Sequence, residues 1–194
     1  MAEVANLGIL QFQQKIKGAV RPNLFQVSHS FPNGVNVGSG EEAVTTFCKS
    51  AALPASQVGT VELPFRGRVL KVPGDRTYVS WTATFYLDDA FTLRSAYEKW
   101  IELTNAADAN TASAQLTEIF QDVEVSQLDK FQGEDLQIIR TYKLVSADPV
   151  SVSQIAVAYD NNDSYEEFDV EFAYQFFETS GGTNSSNDIA RVGG

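Results

Sequence analysis

The stretch from Glu167 to Phe177 alternates with a period of two, and this constrains the fold more than any other feature of the chain. Phe168, Val170, Phe172, Tyr174 and Phe176 fall on one side; Glu167, Asp169, Glu171, Ala173 and Gln175 fall on the other. Only an extended backbone separates these sets, so the aromatic side must meet a core while the acidic side meets water. Residues 78–87 repeat the pattern, with Val79, Trp81, Ala83, Phe85 and Leu87 opposite Tyr78, Ser80, Thr82, Thr84 and Tyr86. Strands with one buried face need a facing layer, which predicts a mainly β sandwich or barrel.

The remaining segments fit that frame. Residues 1–20 form a weakly apolar arm (Leu7, Leu10, Phe12, Ile16) that suits a short helix or an extended segment, ending at Arg21-Pro22. Pro22 biases Arg21 toward extended geometry, and residues 23–29 read as a strand. The turn-rich run 31–42 reads as a long hairpin loop, followed by a short strand around Thr45–Lys49. Residues 60–72 form a hairpin joined through Pro64-Phe65-Arg66-Gly67, with Arg66, Arg68 and Lys71 as a basic patch near its tip. Asp88 and Asp89 are suited to the positive end of a helix whose face carries Leu93, Tyr97, Trp100, Ile101 and Thr104. The polar region 105–135 reads as loop-dominated, with strand character near Gln115–Val123. Strands at 136–145 and 153–159 flank a break at Pro149, and a turn at 160–163 leads into the strand at 167. The expected organisation is an N-terminal arm over 1–20, a β domain over 21–177 with at least seven strands and one flanking helix, and a flexible tail over 178–194.

Composition narrows the function. The 194 residues carry a net charge of −11, which opposes a phosphate-neutralising nucleic-acid domain. Nine acids and one base, Arg191, lie from Ala147 onward, so the last quarter holds net −8. Cys48 is the single cysteine, which excludes an internal disulfide and a multi-thiolate metal site. The start, with Glu3 and no long apolar run, is unlike a signal peptide, and no run approaches 18 apolar residues; a soluble, cytosolically made chain is expected.

Catalytic chemistry finds little to use. His29 is the single histidine and sits at a strand end between Ser28 and Ser30, where a structural role is the ordinary reading. Cys48, between Phe47 and Lys49, reads as a small core residue. Residues 38–43 outline a dinucleotide fingerprint, but Glu41 and Glu42 would oppose a pyrophosphate, and the β-branched VTTFCKS that follows argues against the required helix. Asp160, Asn162, Ser164 and Glu171 have the spacing of a calcium loop, with Tyr165 where glycine is needed. Glu167, Asp169 and Glu171 form an alternating row of the kind found on a solvated sheet face, unlike a paired glycosidase site. No enzyme activity, cofactor or metal is expected.

Taken in order, RPNLFQV (21–27), FCKSAALP (47–54), VELPFRGRVLKVPGDRTYVSW (61–81), DDAFTLRSAYEKW (88–100) and VSQIAVAYDNNDSYEEFDVEFAYQ (152–175) resemble the tail tube proteins of T-even-like contractile phages. The loop at 32–43, the region 105–135 and the tail after 178 look longer than the family core. The resemblance implies a subunit of six-membered rings that stack into a tube inside a contractile sheath, in which strands of every subunit join one inner barrel. Its implied partners are further copies of the chain, the tail sheath, baseplate and tail terminator proteins, a tape-measure protein inside the tube, and DNA that passes without specific binding; no membrane insertion is implied. The location would be the virion tail, assembled in the host cytoplasm. An inner tube of a type VI secretion or other contractile injection system is the alternative.

Six subunits giving about four strands each would close a barrel of roughly 24 strands, with a backbone radius of about 24 Å at ~4.8 Å spacing and ~40° tilt. An acidic lumen would let a duplex slide, since favourable phosphate contacts would trap it. Phe65, Arg66, Arg68 and Lys71 are the candidate contacts between subunits or rings. Glu167, Asp169 and Glu171 are the candidate lumen-facing acids, although the same face could instead meet the sheath.

Overall fold

The computed structural model describes residues 8–16, 20–35, 40–112, 115–129, 137–160, 162 and 164–181. In chain order these form α1 (Ile9–Ile16), β1 (Phe25–His29), α2 (Gly40–Phe47), β2 (Cys48–Ala51), β3 (Ser56–Phe65), β4 (Arg68–Tyr78), β5 (Trp81–Tyr86), α3 (Thr92–Thr104), α4 (Leu116–Ile119), β6 (Gln121–Asp129), β7 (Gln137–Val152), β8 (Glu167–Ala173) and β9 (Phe176–Ser180). The chain is mainly β, as its alternating patterns require.

One antiparallel sheet runs β1-β6-β7-β8-β5-β2, with β9 also on β7. The 16-residue β7 is its spine. Its first part pairs with β6 and, from Thr141 to Val145, with β9; its last part, Asp148–Val152, pairs with β8. The sheet therefore folds over into two layers, β1-β6-β7-β9 and β7-β8-β5-β2. Pro149, expected to break the strand, is tolerated inside β7. Pairing with β6 ends at Ala147, so the proline lies where no strand needs its missing N–H on that side. The expected strand at 153–159 is instead irregular, with Val157 and Tyr159 exposed. The alternating run that begins at Glu167 is kinked at Tyr174-Gln175: Phe168, Val170 and Phe172 are buried, whereas Phe176 begins β9 and is exposed. β9 carries the sheet to Ser180. It stops at Gly181, whose φ of +76° suits glycine and where a Cβ would lie 2.6 Å from the Ile139 carbonyl oxygen.

Two further expectations are corrected. Residues 45–47 belong to α2, not to a strand. Val44 is fully buried, Ala43 and Phe47 pack on the core, and Glu41 and Glu42 occupy the positive first turn, so packing and charge override β-branched propensity. Region 105–135 holds α4 and the nine-residue β6, whose Val123 and Val125 point into the core.

α3 closes the core from one side, as its period predicts, with Leu93, Ala96, Tyr97 and Trp100 buried. Asp88 Oδ2 accepts the Thr92 N–H at 3.1 Å, which ties the helix start to an acid. Tyr97 and Trp100 meet Phe172 of β8, and Trp100 Nε1 donates to the Ile119 carbonyl at 3.0 Å.

Candidate assembly surfaces

β3 and β4 pair only with each other and leave the body as a two-stranded blade. Its root is anchored by Tyr78, whose ring meets Tyr174 and Phe177. Directly paired residues share a face, so Val61↔Val72, Leu63↔Leu70 and Phe65↔Arg68 build one side, while Pro64↔Val69, Glu62↔Lys71 and Thr60↔Pro73 build the other. The first side is an apolar strip, and Leu63, Phe65 and Leu70 are 49%, 68% and 60% exposed. A lone two-stranded ribbon is marginal in water, and exposed apolar strips of this kind mark interaction sites.

Arg66 and Gly67 form the two-residue turn with φ of +47° and +80°. This left-handed pair suits asparagine, aspartate or glycine, so an arginine at its first position carries strain. The Arg66 guanidinium lies 5.3 Å over the Phe65 ring. The structure thus brings Phe65, Arg66 and Arg68 together at the tip. Lys71 sits apart on the opposite face, 3.6 Å from Glu62 in an exposed pair of small worth. Charge drew attention to this hairpin in the sequence; the apolar strip becomes visible only from the strand register.

The second surface is the outer face of the β7-β8-β5-β2 layer. Glu167, Asp169 and Glu171 stand on β8 opposite Tyr86, Thr84 and Thr82, with Ser151 of β7 beside Glu171. The row is polar: Thr84 Oγ1 donates to Asp169 at 2.7 Å, and Lys49 Nζ lies 2.6 Å from Glu167. No strand of the described chain pairs with the far side of β2 or of residues 148–152, so both edges of this layer are open. The other layer is different. α2 lies against β1, and Thr45 Oγ1 donates to the Val27 carbonyl at 2.9 Å.

A third feature is an apolar cavity of about 420 Å³ lined by Phe47, Tyr86, Leu87 and Tyr165. It lies at the end of β5 and β8 away from the hairpin root. Three separate segments supply its walls, which is why no sequence motif announces it.

The residues weighed for catalysis are placed elsewhere. His29 is buried among Phe31, Tyr97, Trp100 and Phe172, and burial pushes its pKa down to about 4. Cys48 is half-buried against the core, and desolvation raises its thiol to about 11, far from the reactive range. A helix does begin within the glycine-rich fingerprint, at Gly40, contrary to expectation. Even so, Glu41 and Glu42 occupy its first turn, and the strand pairs of the sheet are antiparallel where a dinucleotide fold needs parallel ones. Glu171 lies within β8, and residues 161 and 163 of the calcium-like run lie outside the described residues, as do 182–194 of the tail. Among the described residues no group of three metal-ligating side chains converges, and no helix is long and apolar enough to cross a membrane.

The fold is thus an antiparallel body with open edges on a polar layer and an apolar two-stranded blade standing off it. The profile of the phage tail tube protein family matches residues 20–180, and the chain belongs to that family. The tail tube protein gp19 of Enterobacteria phage T4 is 26% identical over 158 residues, covering 81% of this chain and 90% of the relative. The tail tube protein of Serratia phage KSP90 is 27% identical over 157 residues, covering 81% and 86%. The fold is similar to a chain in the sheath-tube complex of the extracellular contractile injection system PVC, with a TM-score of 0.59, 16% identity and coverage of 88% of this chain and 97% of that one. It is also similar to a chain in the anti-feeding prophage baseplate, with a TM-score of 0.58, 15% identity and coverage of 81% and 93%. The resemblance read from the sequence is borne out: this is a structural component of a phage tail.

Proposed function

We propose that the chain polymerises as stacked hexameric rings into the inner tube of a contractile phage tail, the conduit for a tape-measure protein and then for DNA. The observation that carries this is the pair of open edges on the β7-β8-β5-β2 layer. Placing β2 of one copy beside residues 148–152 of the next adds four strands per subunit to a continuous barrel. Six copies then give the roughly 24 strands whose radius of about 24 Å admits a duplex. Closure also removes edges that would otherwise aggregate.

In this arrangement the outer face of the layer becomes the lumen, so Glu167, Asp169 and Glu171 repel phosphate and keep DNA mobile. The apolar strip of the hairpin, with Phe65, Arg66 and Arg68 at its tip, meets a neighbouring copy. Sheath, baseplate and tail terminator proteins contact the outside and ends of the tube, and assembly takes place in the host cytoplasm without enzymatic work by this chain. The tubes of contractile injection devices would share ring and lumen, and the match to the phage family favours the phage reading. Electron microscopy of the purified chain tests assembly: hollow rings or tubes are expected, and a chain that stays monomeric at every concentration and salt would refute it.

A further inference from the structure

The hairpin and the apolar cavity lie at opposite ends of the same layer. β3 and β4 continue β2 and β5 past Ala51 and Trp81, whereas the cavity is built at the Phe47, Tyr86 and Tyr165 end. We infer that the cavity receives the hairpin tip of a second copy in the adjacent ring, with Phe65 as the inserted group. This rests on the ring-stacking reading and assigns the contact within it.

Three observations favour that occupant. Phe65 is a large ring 68% exposed at the end of a strained two-residue turn, and the cavity of about 420 Å³ is walled by aromatic and aliphatic side chains. The charges are complementary. Arg66 and Arg68 flank Phe65, while exposed Asp89 lies two residues beyond cavity residue Leu87 and exposed Glu166 follows cavity residue Tyr165. Lys49, which lies 5.7 Å over the Tyr86 ring, is already paired with Glu167. Finally, donor and acceptor occupy opposite ends of one layer, so the contact is head-to-tail and repeats without limit, as a stack requires.

Geometry sets a bound. Eighteen residues separate Arg68 from Tyr86 along β4 and β5. At ~3.3 Å each they span at most about 60 Å, or about 45 Å along an axis to which the strands tilt by ~40°. The ring repeat should not exceed that.

The test uses two variants, Phe65→Cys and Tyr165→Cys, each combined with Cys48→Ser and mixed before assembly. Oxidised tubes should give a disulfide-linked heterodimer that is absent from unassembled chain, because the bond needs Cα atoms within about 7 Å. Normal tubes without the cross-link would overturn the assignment, as would a ring repeat well above the bound. Wild-type chain that forms no tubes would instead refute the assembly reading itself. Should the cysteine variants fail to assemble, charge exchange decides. Arg66→Glu with Arg68→Glu should leave single rings, and Asp89→Lys with Glu166→Lys in the same chain should restore tubes; no restoration would overturn the proposal.

Discussion

The Tyr97 hydroxyl donates to Nε2 of His29 at 2.8 Å, joining α3 to β1 inside the aromatic core. The other ring nitrogen, Nδ1, donates to the Ser30 carbonyl at 2.9 Å, which fixes the neutral tautomer. His29 is a structural clamp between the helix and the sheet.

That clamp makes the fold acid-sensitive. Burial lowers the His29 pKa from 6.5 to about 4, so the unfolded chain takes up a proton that the folded chain refuses. The contribution is fully present above pH 6.5 and is lost as pH falls toward 4. At about 1.4 kcal/mol per unit this amounts to about 3 kcal/mol. Chemical denaturation of wild type across this window should show the slope, and His29→Gln should flatten it.

Phe172 packs against His29, Trp81, Tyr97 and Trp100 with no exposed surface. Phe172→Ala should cost about 3–5 kcal/mol, and Phe172→Asp should prevent folding. Glu171→Gln on the opposite face of the same strand should leave the melting temperature nearly unchanged. Equal losses for the two would mean that the faces of β8 are misassigned.

Arg66 holds a left-handed turn position that asparagine adopts more easily. Arg66→Asn should therefore leave the monomer as stable or slightly more so, while shortening tubes. Leu63→Asn with Leu70→Thr should likewise preserve the fold and abolish stacking, because both side chains already face water. Circular dichroism and electron microscopy on the same samples separate the two effects.

The sequence revealed what bulky alternation writes plainly. β5 and β8 carry Trp81, Phe85, Phe168 and Phe172 at period two, and α3 carries Leu93, Tyr97 and Trp100 at helical spacing, so strands, helix and core follow. α2 was hidden because Val44, Thr45 and Thr46 favour strands in isolation, and only burial of Val44 against the core makes the helix pay. β6 was hidden because Val123 and Val125 are set among acids and serines. At the hairpin the position was legible and the character was not: Arg66, Arg68 and Lys71 stand out in an acidic chain, whereas Val61, Leu63, Leu70 and Val72 become one strip only when the register pairs them. Phe47, Tyr86 and Tyr165 lie too far apart in sequence to suggest a cavity.

Replacing Glu167, Asp169 and Glu171 with lysine should leave rings able to form, since all three side chains lie on the polar face. Loss of the Glu167–Lys49 pair should lower the melting temperature only modestly, both groups being partly exposed. Particles built from this variant should eject DNA slowly or not at all, as the wall would bind the duplex. Ejection at the wild-type rate would place these acids outside the lumen.

The most direct measurement is a cryo-electron-microscopy map of tubes grown from the purified 21.3 kDa chain. The account predicts sixfold rings, a continuous inner barrel in which β2 of one subunit adjoins residues 148–152 of the next, and Glu167, Asp169 and Glu171 facing the channel. A map in which the β7-β8-β5-β2 layer faces outward, or in which its two edges remain unpaired between subunits, would contradict it.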